Sequence, residues 1–133
     1  MTRMVVILFA VVIVLCGAGA ASYRGARAAR QNAIEAEALT GGNIEAGRIA
    51  LQNYGCNTCH TIPGLVDARG LVGPSLAQIA NRIYIAGVLT NTPDNLIQWI
   101  EDPPGVDPHT AMPNLSVDNV NARDMAAYLY TLR

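Results

Sequence analysis

Residues 56–60 read Cys56-Asn57-Thr58-Cys59-His60, and this stretch dictates what the rest of the chain must surround. C-x-x-C-H is the attachment pattern of a c-type haem. Two thiols add across the two vinyl groups of the macrocycle as thioethers, and the two residues between them set the sulfur spacing. The histidine follows directly, so its imidazole is carried under the iron. Cys56 and Cys59 are therefore expected to hold one haem covalently, and His60 to ligate its iron. A redox dithiol would sit in a βαβ context, and no strand pattern flanks the motif. A structural zinc site usually takes four Cys or His ligands, and beyond the motif the chain has only Cys16 and His109.

The chain has 133 residues, enough for one small domain and an additional segment, and a net charge of −1. That charge carries no nucleic-acid signature. All nine basic residues are arginine. From residue 43 onward five arginines face eight carboxylates, a balance of −3. Three cysteines leave Cys16 over once the motif is used, so no disulfide framework is implied.

Residues 4–22, MVVILFAVVIVLCGAGAAS, carry no charge and follow Arg3. Nineteen such residues can span a bilayer. The same run has the form of a signal peptide, with Ala18-Gly19-Ala20 as a cleavage site before Ala21. Leu15-Cys16 faintly resembles a lipoprotein signal, but Leu15 is large where that signal has a small residue. Arg24, Arg27 and Arg30 then fall on the exported side, against the positive-inside tendency. The haem motif overrides this, because bacteria attach c-type haem outside the cytoplasmic membrane. The preferred reading is a retained anchor at the periplasmic side of the bacterial inner membrane. Cleavage to a soluble periplasmic form, or lipidation, is the alternative. The expected organisation is residues 1–22 anchor or signal, 23–42 a helical or disordered spacer, and 43–133 the folded domain. Removing everything before residue 43 should then leave the fold intact.

Within the domain, residues 44–54 read as a helix with Gly47, Ala50, Leu51 and Tyr54 on one face. Gly47 marks close approach of another helix. Residues 61–76 are punctuated by Gly and Pro and read as a loop over one haem face. Pro74 could direct its carbonyl at the His60 ring, the supporting contact such a ligand needs, or be an ordinary turn proline. Residues 76–83 read as a short helix. Thr92-Pro93-Asp94 starts the next helix, with Thr92 as cap, and Pro103-Pro104 stops it. Trp99 reads as core, with an indole N–H that could reach a haem propionate. Residues 105–115 form a second Pro-rich loop. Ser116 is expected to cap the last helix, whose apolar face is Met125, Tyr128, Leu129 and Leu132.

A low-spin electron-transfer haem needs a sixth ligand, usually Met or His. The candidates are His109, Met112 and Met125. Met125 lies on a core face, and His109 sits among polar loop residues. Met112, stiffened by Pro113, is preferred, and it would close the iron site. A peroxidase or similar small-ligand enzyme needs an open iron and acid–base groups on that face, so the chain is expected to be an electron carrier and not an enzyme.

Cys56-Asn57-Thr58-Cys59-His60, Gly73-Pro74-Ser75-Leu76, Asn91-Thr92-Pro93-Asp94-Asn95-Leu96, Trp99-Ile100, Asp102-Pro103, Met112-Pro113 and Tyr128-Leu129 occur in this order. Together, over residues 43–133, they resemble mono-haem class I cytochromes c, most closely the cytochrome c domain fused to subunit II of some bacterial haem–copper oxidases. The chain has no cupredoxin-like domain or copper-site motif, so a free-standing cytochrome of this type is expected. The resemblance implies an all-α fold wrapped around one haem c, His60 and Met112 as axial ligands, Pro74 behind His60, and Gly47 meeting Tyr128. It implies single-electron transfer in a respiratory chain, from a quinol-oxidising complex or dehydrogenase to a terminal oxidase. A haem subunit of a larger dehydrogenase or oxidase complex is the alternative. The lysine-ringed docking surface of mitochondrial-type members is absent, so docking around the haem edge is expected to be apolar and weakly charged.

Overall fold

The computed structural model describes residues 2–133, and in the first helix the side chains of residues 7, 9 and those from 11 onward. The remainder of the expected anchor lies outside the described residues. The chain forms two compact units, one ending at Asn32 and the other comprising Ala33–Arg133. Helix α1 is Thr2–Thr40. Its described apolar side chains Phe9, Ile13, Val14 and Leu15 are exposed. Among the described residues, no helix is long and apolar enough to cross a membrane.

The second unit begins at Ala33, ten residues before the boundary expected at residue 43. Ala36 and Thr40, one helical turn apart, are buried. Arg123 Nη1 donates to the Thr40 carbonyl at 3.0 Å. Glu37 accepts from the Ile44 N–H at 3.1 Å, and Glu35 pairs with Arg133 at 2.9 Å. Residues 33–40 are therefore structural, not spacer. A chain starting at residue 43 should be less stable than one starting at Ala33 by roughly 2–4 kcal/mol, from two lost hydrogen bonds and the burial of Ala36. Urea unfolding of the two chains checks this. Equal midpoints would return residues 33–40 to the spacer.

Helix α2, Ile44–Asn53, is capped by Asn43, whose side chain accepts from the Ala46 N–H. It buries Gly47, Ala50 and Leu51. A four-residue turn, α3, Cys56–Cys59, follows Gly55, which takes the left-handed conformation at φ 74° that glycine reaches without strain. The expected helix over residues 76–83 is only a 3₁₀ turn, Ile79–Asn81. After it comes an antiparallel hairpin that was not expected, β1 Tyr84–Ile85 with β2 Leu89–Thr90, Tyr84 opposite Thr90 and Ile85 opposite Leu89. Its turn places Ala86 and Gly87 at positive φ.

Helix α4, Pro93–Glu101, starts as its sequence predicts: the Thr92 side chain accepts from the Asn95 N–H and Pro93 opens the first turn. It buries Leu96, Ile97, Trp99 and Ile100. Pro103–Val106 form a further short helix, α5, capped by Asp102. The last helix, α6, is Asn119–Tyr130, and its cap is Asp118, which accepts from the Asn121 N–H. Ser116 is not the cap. It stands at φ 57°, and burial of Val117 carries the chain on to Asp118 before the helix can begin.

Helices α2 and α6 pack together at Gly47. A Cβ there would run into the Asp124 carbonyl and the Met125 N–H. Gly47 thus meets the α6 backbone one turn before Tyr128, whose hydroxyl donates to the Pro63 carbonyl at 2.7 Å and packs on Gly64. Backbone cannot yield as a side chain tip can, so Gly47→Ala must separate the two helices. The expected loss is about 3 kcal/mol, the upper end of ordinary overpacking, read as a lower urea midpoint at unchanged slope.

Candidate functional site

The motif side chains project from α3 and the residue after it into one cavity of about 520 Å³. That volume falls in the range of small-molecule and cofactor sites. Cys56, Cys59, His60, Pro74, Trp99 and Met112 all line it, although they come from four separate segments of the chain. The helical wall is Leu51 of α2, Leu96 and Ile100 of α4, and Met125 and Leu129 of α6. The lining is therefore largely apolar.

His60 is held from behind. Its Nδ1–H donates to the Pro74 carbonyl at 2.7 Å. The proton on Nδ1 leaves Nε2 as the nitrogen with a lone pair, the form in which imidazole binds metal. The supporting loop is packed by absence of side chains. A Cβ on Gly73 would overlap the His60 ring, and one on Gly70 would overlap the Thr58 and Cys59 backbone. The Gly73 N–H donates to the Cys59 carbonyl at 2.9 Å, tying the loop to α3. Burial pushes the Cys56 thiol up to about 11, so it is neutral at physiological pH.

Met112 stands in the 107–116 segment and packs partly buried against the core. This segment supplies its own backbone partners: Asp107 accepts from the His109 N–H, Thr110 from the Met112 N–H, and Asn114 from the Ser116 N–H, each across two residues. One side-chain bond, Asn114 to Asp102 at 2.9 Å, fastens it to the α5 cap. His109 is in the same segment but its side chain is 95% exposed, 3.7 Å from Asp107, and it does not line the cavity. Met125 is fully buried and does line it. Among the described residues, no group of three or more His, Cys, Asp and Glu side chains converges to hold a metal ion.

Two wall elements were not foreseen in the sequence. Arg82 lines the cavity, and its guanidinium donates to the Ser75 and Ala77 carbonyls. Tyr84, Ala86 and Gly87 of the hairpin also line it. Asn91 secures the hairpin base, donating to the Ile79 and Arg82 carbonyls and accepting from the Tyr130 hydroxyl at 2.9 Å. Hydrophobic periodicity has no signal for either wall element, because two-residue strands are shorter than any recognisable alternation.

No family model matches the chain. It is 32% identical over 87 residues to cytochrome c oxidase subunit 2 of Alkalihalophilus pseudofirmus strain OF4, covering 65% of this chain and 24% of that protein. It is 31% identical over 90 residues to cytochrome c oxidase subunit 2 of Bacillus sp. strain PS3, covering 63% of this chain and 25% of that protein. The chain thus spans about a quarter of the length of these curated relatives.

Proposed function

We propose that the chain is a mono-haem cytochrome c with a class I fold, anchored at the periplasmic face of the inner membrane, that carries single electrons in a respiratory chain. The observation that carries this reading is the convergence of Cys56, Cys59, His60 and Met112 on one largely apolar cavity, with the His60 Nδ1–H bound to the Pro74 carbonyl. Haem c, when bound, supplies a one-electron iron couple. The chain's own groups do the rest. Cys56 and Cys59 would hold the macrocycle covalently, and the His60 imidazole and the Met112 thioether would ligate its iron. Trp99 and the aliphatic wall exclude water, and Arg82 places a positive charge at the cavity edge. The similarity to two oxidase subunits supports a terminal oxidase as electron acceptor, with a quinol-oxidising complex or dehydrogenase as donor.

The reduced-state spectrum tests this. A covalently bound, low-spin His–Met haem that ignores carbon monoxide is expected. A chain without haem, or one that binds carbon monoxide at once, rejects an electron carrier of this kind. The relatives are subunits by name, which favours one second reading, a haem subunit of a larger complex. Native electrophoresis after gentle membrane extraction distinguishes the two, since a subunit migrates with its complex.

A further inference from the structure

Arg24, Arg27 and Arg30 have no role in the haem site, and their surroundings are distinctive. They follow the apolar run at spacings of three, which places them within about 120° of one face of α1. All three are exposed. Residues 23–34 contain no carboxylate. The first two acids after them are already engaged in the folded unit, Glu35 with Arg133 and Glu37 with the Ile44 N–H. Among the described residues the charged contacts are Arg48–Glu45, His109–Asp107 and Arg133–Glu35, and none involves these three arginines. Tyr23 stands at the end of the apolar run with the Arg27 guanidinium 5.7 Å from its ring centroid. An aromatic ring beside a cation at the end of an apolar helix is the side-chain arrangement of a membrane–water interface.

We propose that Arg24, Arg27 and Arg30 form a collar that binds the phosphates of anionic phospholipids where α1 leaves the membrane. This rests on the reading of residues 4–22 as a membrane segment. The dimensions agree. Arg24 to Arg30 rises about 9 Å along a helix, and the headgroup layer on each side of a bilayer is roughly 5–7 Å deep, a difference that long, snorkelling side chains absorb. The residue type agrees as well. A guanidinium offers a planar fork that matches phosphate oxygens in pairs. Phosphate binding also accounts for three positive charges on the exported side, where the topology tendency disfavours them.

The test uses the full chain reconstituted into phosphatidylcholine vesicles that contain a trace of spin-labelled phosphatidylglycerol or spin-labelled phosphatidylcholine. The fraction of each probe immobilised by the protein is measured. A several-fold preference for phosphatidylglycerol is expected, since each arginine near an anionic surface strengthens association roughly fivefold. It should fall to near parity in the triple variant Arg24→Gln, Arg27→Gln, Arg30→Gln, which keeps good helix formers. Equal immobilisation by the native chain, or a preference that survives the triple substitution, overturns the proposal. Loss of preference on adding inorganic phosphate at constant ionic strength assigns the arginines to free phosphate and overturns the lipid assignment. Alkaline carbonate extraction reports on the anchor separately. A chain that washes off refutes the spanning segment and, with it, the collar. A chain retained without preference overturns the collar alone and leaves the spanning segment.

Discussion

Serine at both Cys56 and Cys59 is expected to leave almost no folded chain to purify. The cavity these thiols line is about 520 Å³, and its walls are core residues of three helices, including Leu51, Leu96 and Leu129. A domain of this size is stable by roughly 5–15 kcal/mol. Without a covalently held cofactor these apolar walls face water instead of the macrocycle, and a domain this small has little stability to spare. Expression yield and far-ultraviolet circular dichroism of the double variant check this. A helical chain that unfolds cooperatively would show that the walls stand by themselves, and would overturn the dependence of folding on the cofactor.

Met112→Ala carries the second large effect. If Met112 is the sixth ligand, its removal opens the iron, and the variant should bind carbon monoxide at once. Its reduction potential should fall by on the order of 0.1 V or more, within the roughly 0.8 V that axial ligation commands. Met125 also lines the cavity and is fully buried, so it is the necessary control. Met125→Leu nearly conserves volume and should cost less than about 1.5 kcal/mol, with the spectrum unchanged. If the Met–iron band survives in Met112→Ala and disappears in Met125→Leu, the ligand is on α6.

Much of this arrangement was legible because it depends on local chemistry. Thr92-Pro93 starts α4 wherever that helix packs, since a cap and a proline act within one turn. Gly47 signalled a close crossing because nothing else justifies a glycine in mid-helix. Which backbone it meets, that of Asp124 and Met125, was less legible, because neighbouring turns of one helix differ only in three-dimensional packing. Ser116 and Asp118 are both competent caps, and the choice between them was made by burial of Val117 between them. The start of the folded unit was hidden for a different reason. Ala36 is a small residue among charged neighbours, so its burial against the domain leaves no periodic trace in an alanine-rich stretch. The wall formed by Arg82 and the hairpin depends on contacts distant in sequence, which no local pattern encodes.

The 107–116 segment, three of whose N–H groups bond to its own Asp107, Thr110 and Asn114 side chains, gives the cavity two walls that keep different time. The helical wall cannot open without breaking the backbone ladders of α2 and α6, and its amides should exchange with solvent only near the free energy of global unfolding. The opposing segment is tied to the rest by the Asn114–Asp102 bond, the Asp107 N–H to Pro103 carbonyl bond and the packing of Met112 on the core, fewer restraints than a helix carries. Its amides should therefore exchange sooner than those of Leu51 or Met125.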